Sequence, residues 1–260
     1  MGTIVPLVVV AGGKGGVGAT TVAVNLALAL ARQGRRAVFV DADLDHGGNS
    51  RLTQHPEQGS VLDVLAGRRS VHEVLERGPL GVQVLSGAWA EGAPVEFSAA
   101  AQHRFISDLK NLGAHADVVV IDAGSSRSPF ARGLWQAASV VLAVTTTDPG
   151  SIMECYAAIK VQLDAAETAS VYTLANLSDQ PEAAAEVQAR IAEACRRFLG
   201  MQAIAAGVVE TCPTTGHAPP LLFPAGSQAA RSLDQVAETL WAQTQLTSPY
   251  TSRRPEAKSA

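Results

Sequence analysis

Short apolar runs recur along the chain, and several of them are followed by glycine or acidic residues. The first run is LVVV at residues 7–10, directly before a stretch rich in glycine. Uninterrupted apolar runs of this length predict strands that are buried on both faces, and strict alternation predicts a half-buried strand. The predicted strands are residues 7–10, 37–40, 81–87, 118–121, 140–144, 170–176 and 203–209.

Between these strands the apolar residues recur every three or four positions, which predicts helices packed on a sheet. The predicted helices cover residues 20–33, 61–65, 71–75, 97–112, 129–135, 181–199 and 227–245, with a further helix beginning at Pro149. In the helix over 181–199, one apolar stripe is expected to hold Val187, Ile191, Cys195 and Phe198. Alternating strands and helices predict a single α/β domain with a mostly parallel central sheet and helices on both faces. We expect this domain to span residues 1–246, followed by a disordered polar tail at 247–260.

The first strand is followed by a glycine-rich loop and then by a helix. The loop fits the phosphate-binding pattern G-x-x-x-x-G-K-[ST] from Gly13 through Gly18 to Thr20. Glycines leave backbone N–H groups free to surround an oxyanion, and the helix N-terminus adds its positive dipole. A loop of this kind can also be a plain tight turn, but the other features expected of a phosphate site follow in order downstream.

The loop departs from that pattern at one position, because Ala19 stands where the pattern has lysine. That lysine normally reaches the β- and γ-phosphates, and such a charge-assisted hydrogen bond contributes roughly 1.5–3 kcal/mol. A different lysine, Lys14, lies earlier in the same loop. We therefore expect phosphate binding to be retained and hydrolysis to be weakened.

Acidic residues follow two of the predicted strands. Asp41 and Asp43 come after the second strand, and Asp122 ends the apolar run VVVI. The carboxyl ends of parallel strands form the ligand crevice of an open α/β sheet. An apolar run ending in Asp is a Walker B pattern, which predicts Mg²⁺ held by Asp122 beside the Thr20 hydroxyl. Asp43 can instead be a helix N-cap or turn residue, and Asp122 an N-cap.

The stretch GGKGGVGATT at residues 12–21 resembles the deviant Walker A loop of the MinD/ParA ATPases. This resemblance implies a nucleotide-sandwich homodimer in which Lys14 reaches the phosphates bound by the partner. It implies that Asp43 orients the attacking water, so that Lys14 and Asp43 are the catalytic candidates. Asn176 matches a position that hydrogen-bonds adenine in this family, although an Asn at the start of a turn is an equal alternative. Pro213 matches a loop beside the base.

The resemblance also implies ATP or ADP with Mg²⁺ as the cofactors. The implied nucleotide-binding residues are Gly13, Lys14, Gly15, Gly16, Val17, Gly18, Ala19, Thr20, Thr21, Asn176 and Pro213. The implied metal-binding residues are Thr20, Asp41 and Asp122.

Three further stretches resemble the FlhG/YlxH-type branch, whose members set flagellar number and placement. They are residues 62–88, the segment TTTDPGSIMECYAAIK at residues 145–160 and the sequence RRFLG at 196–200. This branch implies a protein partner in a polar or flagellar assembly. Because pilus-localising relatives also lack the loop lysine, a pilus role is the nearest alternative. A non-catalytic scaffold that keeps only the fold is a second alternative, and a DNA-partitioning ATPase is a third.

Composition and charge narrow these alternatives. The net charge of −4 and pI of 5.9 argue against DNA as a partner, which usually requires a basic face. The three cysteines are far apart in the sequence and predict no disulfide framework, so a reducing cytoplasm is expected. No signal peptide is expected at the N-terminus, and the polar tail has no amphipathic membrane anchor. Peripheral association with the inner face of the membrane or the cell pole remains compatible with the sequence.

Overall fold

The computed structural model describes residues 4–44, 59–87, 97–125, 127–163, 169–212 and 222–247. Within these ranges the strands are β1 (Leu7–Gly12), β2 (Ala37–Asp41), β3 (Glu76–Arg77), β4 (Gln83–Leu85), β5 (Val118–Asp122), β6 (Val140–Thr145), β7 (Ser170–Ala175) and β8 (Ala203–Val208). The helices are α1 (Ala19–Arg32), α2 (Val61–Leu65), α3 (Val71–Val74), α4 (Ala99–Lys110), α5 (Pro129–Ala137), α6 (Pro149–Gln162), α7 (Pro181–Ala194) and α8 (Gln228–Thr247). A 3₁₀ turn covers Pro79–Gly81, and a π-helical turn, Cys195–Leu199, extends α7. Pro213 and the residues after 247 lie outside the described part of the chain.

The strands form one eight-stranded sheet in the order β3-β4-β2-β5-β1-β6-β7-β8. Every neighbouring pair is parallel except β3 and β4, which run antiparallel. The sheet confirms the predicted fold class, and the short β3 is an element that the sequence pattern does not predict. The central strand β1 pairs with β5 on one side and β6 on the other. Its carboxyl end therefore lies at the middle of the sheet edge, where the glycine-rich loop begins.

Alternate residues of each strand face two separate apolar layers. Val8 and Val10 of β1 pack with α1 and α8 on one face. Leu7 and Val9 pack on the other face, which is covered by α2 to α7. Helices therefore cover both faces of the sheet, as predicted.

Helix α1 is buried on every side, rather than along one stripe. Each residue from Val22 to Leu30 is buried. The cause is α8, whose Leu233, Val236 and Leu240 are buried in the same apolar layer as α1. A helix that is apolar all round is stable in water only when its outer side is covered as well. The sheet packs on one side of α1 and α8 covers the other.

The predicted stripe of the helix over 181–199 is wrong at its last residue. Val187, Ile191 and Cys195 are buried, but the Phe198 side chain is 67% exposed. The backbone changes from α-helix to a π-helical turn at Cys195. A π turn has a longer hydrogen-bond repeat than an α-helix, so a residue spaced for an α-helical stripe is rotated away from it. Phe198 is consequently directed to solvent.

A buried glutamine repairs an irregularity between β7 and β8. The register of these strands shifts at Thr173/Leu174. Gln188 of α7 donates from Nε2 to the carbonyl oxygens of Thr173, at 2.8 Å, and Gly207, at 2.9 Å. One side chain therefore satisfies backbone acceptors on both strands beside the bulge.

We expect Gln188→Met to lower the free energy of unfolding by about 2–4 kcal/mol, because two buried carbonyls lose their donor. Urea unfolding monitored by circular dichroism measures this change. Gln235→Met, at an exposed position of α8, is the control and should stay within about 0.5 kcal/mol of the parent. Equal effects of the two substitutions would contradict the role of Gln188.

Candidate functional site

The glycine-rich loop connects β1 to α1 and is held closely on two sides. A Cβ added at Gly13 would lie 2.2 Å from the carbonyl carbon of Glu154, so the loop packs directly on the backbone of α6. Gly18 caps α1 in a left-handed conformation, with φ +82°, and a Cβ there would lie 2.4 Å from Nδ2 of Asn176. Only glycine combines these close approaches with this backbone geometry. The loop is thereby fixed between α6 and the end of β7.

A pocket of about 340 Å³ opens at this loop, in front of the N-terminus of α1. Its lining residues are Lys14, Gly15, Gly16, Val17, Gly18, Ala19, Thr20, Asp43, Gly124 and Ser125. The pocket thus gathers seven consecutive predicted binding residues, from Lys14 through Thr20, together with Asp43. Free backbone N–H groups at a helix N-terminus form a site suited to phosphate.

Gly13 and Thr21 flank this run of residues and do not line the pocket. The carbonyl of Thr21 accepts a 2.8 Å hydrogen bond from Asn25 within α1. Ala19 lines the pocket but is only 8% exposed, because it also packs in the apolar layer around α1. The position at which the phosphate-loop pattern has lysine is therefore an apolar contact at the base of the pocket.

Asp122 lies at the carboxyl end of β5, beside the pocket, and is 1% exposed. Its Oδ1 accepts a 3.0 Å hydrogen bond from the Gly124 amide, while its Oδ2 is buried with no hydrogen-bond partner among the described residues. The pKa of Asp122 is raised to about 7, mainly by burial and also by the charges of Asp41 and Asp43, while hydrogen bonds from Thr20 and Gly124 oppose the rise. An unsatisfied buried carboxylate oxygen next to a threonine hydroxyl fits a Mg²⁺ site.

The other two acids take different positions around Asp122. Asp43 lines the pocket and packs against Gly124, where an added Cβ would lie 2.2 Å from its Oδ2. Asp41 is paired in register with Asp122 on the adjacent strand β2. It is buried beside Gly87 and does not line the pocket. Asp41 therefore acts on the site through its charge on Asp122, whereas Asp43 reaches the pocket itself.

Lys14 leaves the loop in the direction of α6. Its Nζ lies 2.7 Å from Oδ2 of Asp148, and the Lys14 side chain is 42% exposed. Asp148 is also the N-cap of α6 and accepts a 2.9 Å hydrogen bond from the Ser151 amide. The hydrogen bond from Lys14 is the main reason that the pKa of Asp148 lies below its usual value. The sequence pattern predicts only a helix beginning at Pro149, because nothing in the local pattern shows that the distant loop lysine reaches Asp148.

Asn176 holds the phosphate loop from the side of β7. Its Nδ2 donates to the carbonyl oxygen of Val17 at 2.9 Å, and the side chain is buried. Its Oδ1 is buried without a hydrogen-bond partner among the described atoms. The NH₂ group of the Asn176 side chain is therefore committed to the loop, and its oxygen remains as an acceptor for a ligand. Arg127, in the loop after β5, forms an ion pair with Glu154 of α6.

The described ranges contain no group of three or more His, Cys, Asp or Glu side chains arranged to hold a metal ion. Protein-bound Mg²⁺ commonly uses one or two carboxylates together with phosphate oxygens and water, so Thr20 and Asp122 still fit the predicted site. None of the described helices is both long enough and apolar enough to span a membrane.

The fold and the pocket define a class of protein. A phosphate-binding loop joins the central strand to a helix N-terminus, and the neighbouring parallel strand ends in an acidic residue beside the loop. This arrangement is that of the P-loop nucleotide-binding proteins.

Comparison with known proteins identifies the family. A family model described as an AAA domain matches residues 5–160. The antiactivator FleN of Pseudomonas aeruginosa is 33% identical over 80% of this chain and 75% of its own length. The flagellum site-determining protein YlxH of Helicobacter pylori is 25% identical over 67% of this chain and 59% of its own length. The chain belongs to the MinD/ParA family of P-loop ATPases, close to its FleN/YlxH-type members, which confirms the resemblance inferred from residues 12–21.

Solved structures support the same fold. The cell division ATPase MinD of Pyrococcus furiosus gives a TM-score of 0.71 at 24% identity, over 92% of this chain and 98% of that one. MinD of Pyrococcus horikoshii, complexed with Mg-ADP, gives 0.72 at 19% identity, over 95% of this chain and 100% of that one. At these identities the likeness concerns the fold.

The raised pKa of Asp122 predicts a pH-dependent stability of the ligand-free protein. A carboxyl group with a higher pKa in the folded state stabilises the fold below its unfolded pKa, here 3.8, and loses that contribution as the pH rises to about 7. Between about pH 5 and pH 8, we expect the free energy of unfolding of the parent to fall by about 2–3 kcal/mol more than that of Asp122→Asn. Urea unfolding of both proteins across this range measures the difference. Parallel pH profiles would show that Asp122 is not the group responsible.

Proposed function

We propose that this protein is an ATP-binding regulator of flagellar number or placement that dimerises with nucleotide and hydrolyses ATP weakly or not at all. The observation that carries the proposal is the distribution of lysines around the phosphate loop. Lys14 is exposed at the pocket. The position that normally carries the phosphate-loop lysine is Ala19, which lines the pocket but is buried in the apolar layer around α1. The relation to the flagellar site-determining protein YlxH and to the antiactivator FleN supports the regulatory role.

Nucleotide binding rests on the residues that line the pocket. The N–H groups of the loop would hold the phosphates, and Thr20 and Asp122 would hold Mg²⁺. The unsatisfied Oδ2 of Asp122 is an acceptor that a cation would satisfy. The Oδ1 of Asn176 is the corresponding acceptor for an adenine amino group, and Pro213 would lie beside the base. In support, relatives of the same fold contain Mg-ADP or an ATP analogue with magnesium.

Dimerisation rests on Lys14. Its ammonium group is held at the pocket mouth by an exposed ion pair, and exposed pairs contribute only about 0–1 kcal/mol. Exchange of Asp148 for a phosphate of a nucleotide bound to the partner is therefore energetically accessible. Asp43, which lines the pocket, would orient the attacking water molecule.

Weak hydrolysis follows from Ala19. Removal of one preorganised donor to a developing charge typically lowers a rate by about 10²–10³-fold. Unless Lys14 of a second copy supplies that charge, turnover will be slow. A pilus-localising role and a non-catalytic scaffold are the competing functions, and both are favoured by the same alanine. The joint presence of Thr20, Asp43 and Asp122 at one pocket favours a working nucleotide site over a scaffold.

A first test measures ATP binding by calorimetry and oligomeric mass by light scattering, with and without Mg-ATP. We expect the parent to bind ATP and to dimerise, Lys14→Ala to lose the dimer, and Ala19→Lys to raise turnover by tenfold or more, on the order of the effect of one donor. Lys160→Ala, at an exposed lysine of α6, is the matched control. An absence of ATP binding by the parent at millimolar nucleotide would favour the scaffold.

A second test separates the two partners of Lys14. Asp148→Asn removes the charge that holds Lys14 but keeps an N-cap for α6, because Asn caps helices as well as Asp. We expect this variant to dimerise at several-fold lower ATP concentration than the parent, as judged by light scattering during a nucleotide titration. A double variant that also carries Lys14→Ala should stay monomeric. Dimerisation that is unchanged in Asp148→Asn would show that the ion pair does not compete with the nucleotide.

A further inference from the structure

A second concave surface lies between α4 and α5, on the sheet face opposite α1. We call it the α4–α5 groove, and its volume is about 670 Å³, roughly twice that of the nucleotide pocket. The lining residues of α4 recur at spacings of three and one, from Ala99 to Asn111, and those of α5 recur in the same way from Pro129 to Ala137. These spacings mark one continuous stripe on each helix. The α4 stripe is about 18 Å long at 1.5 Å per residue, which matches a partner helix of about three turns.

The lining of the groove combines apolar residues with basic ones. Ile4, Ile106 and Pro129 contribute apolar surface, and the Ile4 side chain is 47% exposed. The ionisable residues of the lining are His103, Lys110 and Arg132, and no acidic residue of the described ranges lines it. This one-sided charge contrasts with the net charge of −4 for the chain as a whole.

The partial burial of a lysine distinguishes the groove from an ordinary exposed surface. Lys110 is half-buried, and burial lowers its pKa. Its backbone carbonyl accepts a 2.8 Å hydrogen bond from Val5, which fixes the chain next to Ile4 at the end of the groove. A cation held partly out of water interacts more strongly with an opposite charge than a fully solvated one.

We propose that the α4–α5 groove binds an amphipathic helix of a protein partner, with an apolar stripe seated on Ile4 and Ile106 and an acidic side chain paired with Lys110. A helix lying in an apolar groove uses anchors at i, i+3, i+4 and i+7. Charge complementarity at the walls sets its orientation and excludes basic helices. The inference rests on the partner-binding element of the proposed function and does not require nucleotide hydrolysis.

Gly133 provides a way to close the groove without harming the fold. A Cβ added there would lie 3.7 Å from Cδ1 of Ile106 and 3.9 Å from Oε1 of Gln102, which is ordinary van der Waals contact. The residue lies inside α5, so alanine or leucine should stabilise the helix by up to about 1 kcal/mol. Gly133→Leu projects a side chain into the groove, whereas Gly133→Ala gains the same helix propensity with little added bulk.

The probe is a fluorescein-labelled amphipathic peptide of about 14 residues, with leucines on one stripe and glutamates beside them. A matched peptide carries lysine in place of each glutamate. Fluorescence anisotropy is measured with the full chain in the absence of nucleotide. We expect the acidic peptide to bind at least tenfold more tightly than the basic one, and Gly133→Leu to weaken it by at least tenfold, with Gly133→Ala close to the parent.

Charge exchange makes the test specific. Lys110→Glu should weaken the acidic peptide and strengthen the basic one, while Lys160→Glu on α6 should change neither. ATP binding and oligomeric mass of Gly133→Leu should match those of the parent, so a failure of the nucleotide proposal is read separately from a failure of the groove.

Three outcomes would overturn the proposal. Equal binding of the two peptides, or binding unaffected by Gly133→Leu, would show that the groove does not select an acidic helix. Binding of vesicles containing anionic lipid that is lost in Gly133→Leu, without peptide binding, would make the groove a membrane contact. Self-association lost in the same variant, again without peptide binding, would make it an interface between two copies of this chain.

Discussion

The close packing of the phosphate loop against its neighbours is the constraint on which the rest of the site depends. Gly13 lies against the backbone of α6 and Gly18 lies against Asn176, so neither position has room for a side chain. The loop is therefore held at both ends before an anion binds, which lowers the ordering cost of binding. The same packing joins three strands to one pocket, because β1 leads into the loop, β6 leads into α6 and Asn176 directly follows β7. This junction is possible because β1 lies at the centre of the sheet.

The electrostatics of the pocket are incomplete without a ligand. Asp41, Asp43 and Asp122 lie close enough together for the first two to raise the pKa of the third. Three buried acids at one sheet edge repel one another, and a divalent cation is the natural counter-charge. The nearby ammonium group, Lys14, is directed to Asp148 instead. The site therefore favours a cation and a phosphate together. A phosphate alone would leave the acids uncompensated, and a cation alone would provide no phosphate for Lys14.

Much of this arrangement is predictable from the sequence, because local patterns determine it. The buried strands, the glycine loop and the acids at strand ends are each encoded within about ten residues. Long-range contacts are not encoded in that way. The Lys14–Asp148 ion pair joins residues 134 positions apart, and the burial of α1 on all sides depends on α8 near the opposite end of the chain. The sequence pattern places Phe198 on the buried stripe, because a π-helical turn changes the helical repeat without a clear signal in composition.

Helix α5 gives the two surfaces of the protein a physical connection. It begins at Pro129, four residues after Ser125, which lines the nucleotide pocket, and its other face forms a wall of the α4–α5 groove. A ligand that repositions the segment after Asp122 would move α5 and so change the width of the groove. Binding energies at two such sites are coupled reciprocally, so a helix seated in the groove would favour one nucleotide state by the same factor. Slow hydrolysis, as proposed above, would let the protein use this coupling fully, because the bound nucleotide would persist long enough for a partner to respond to it.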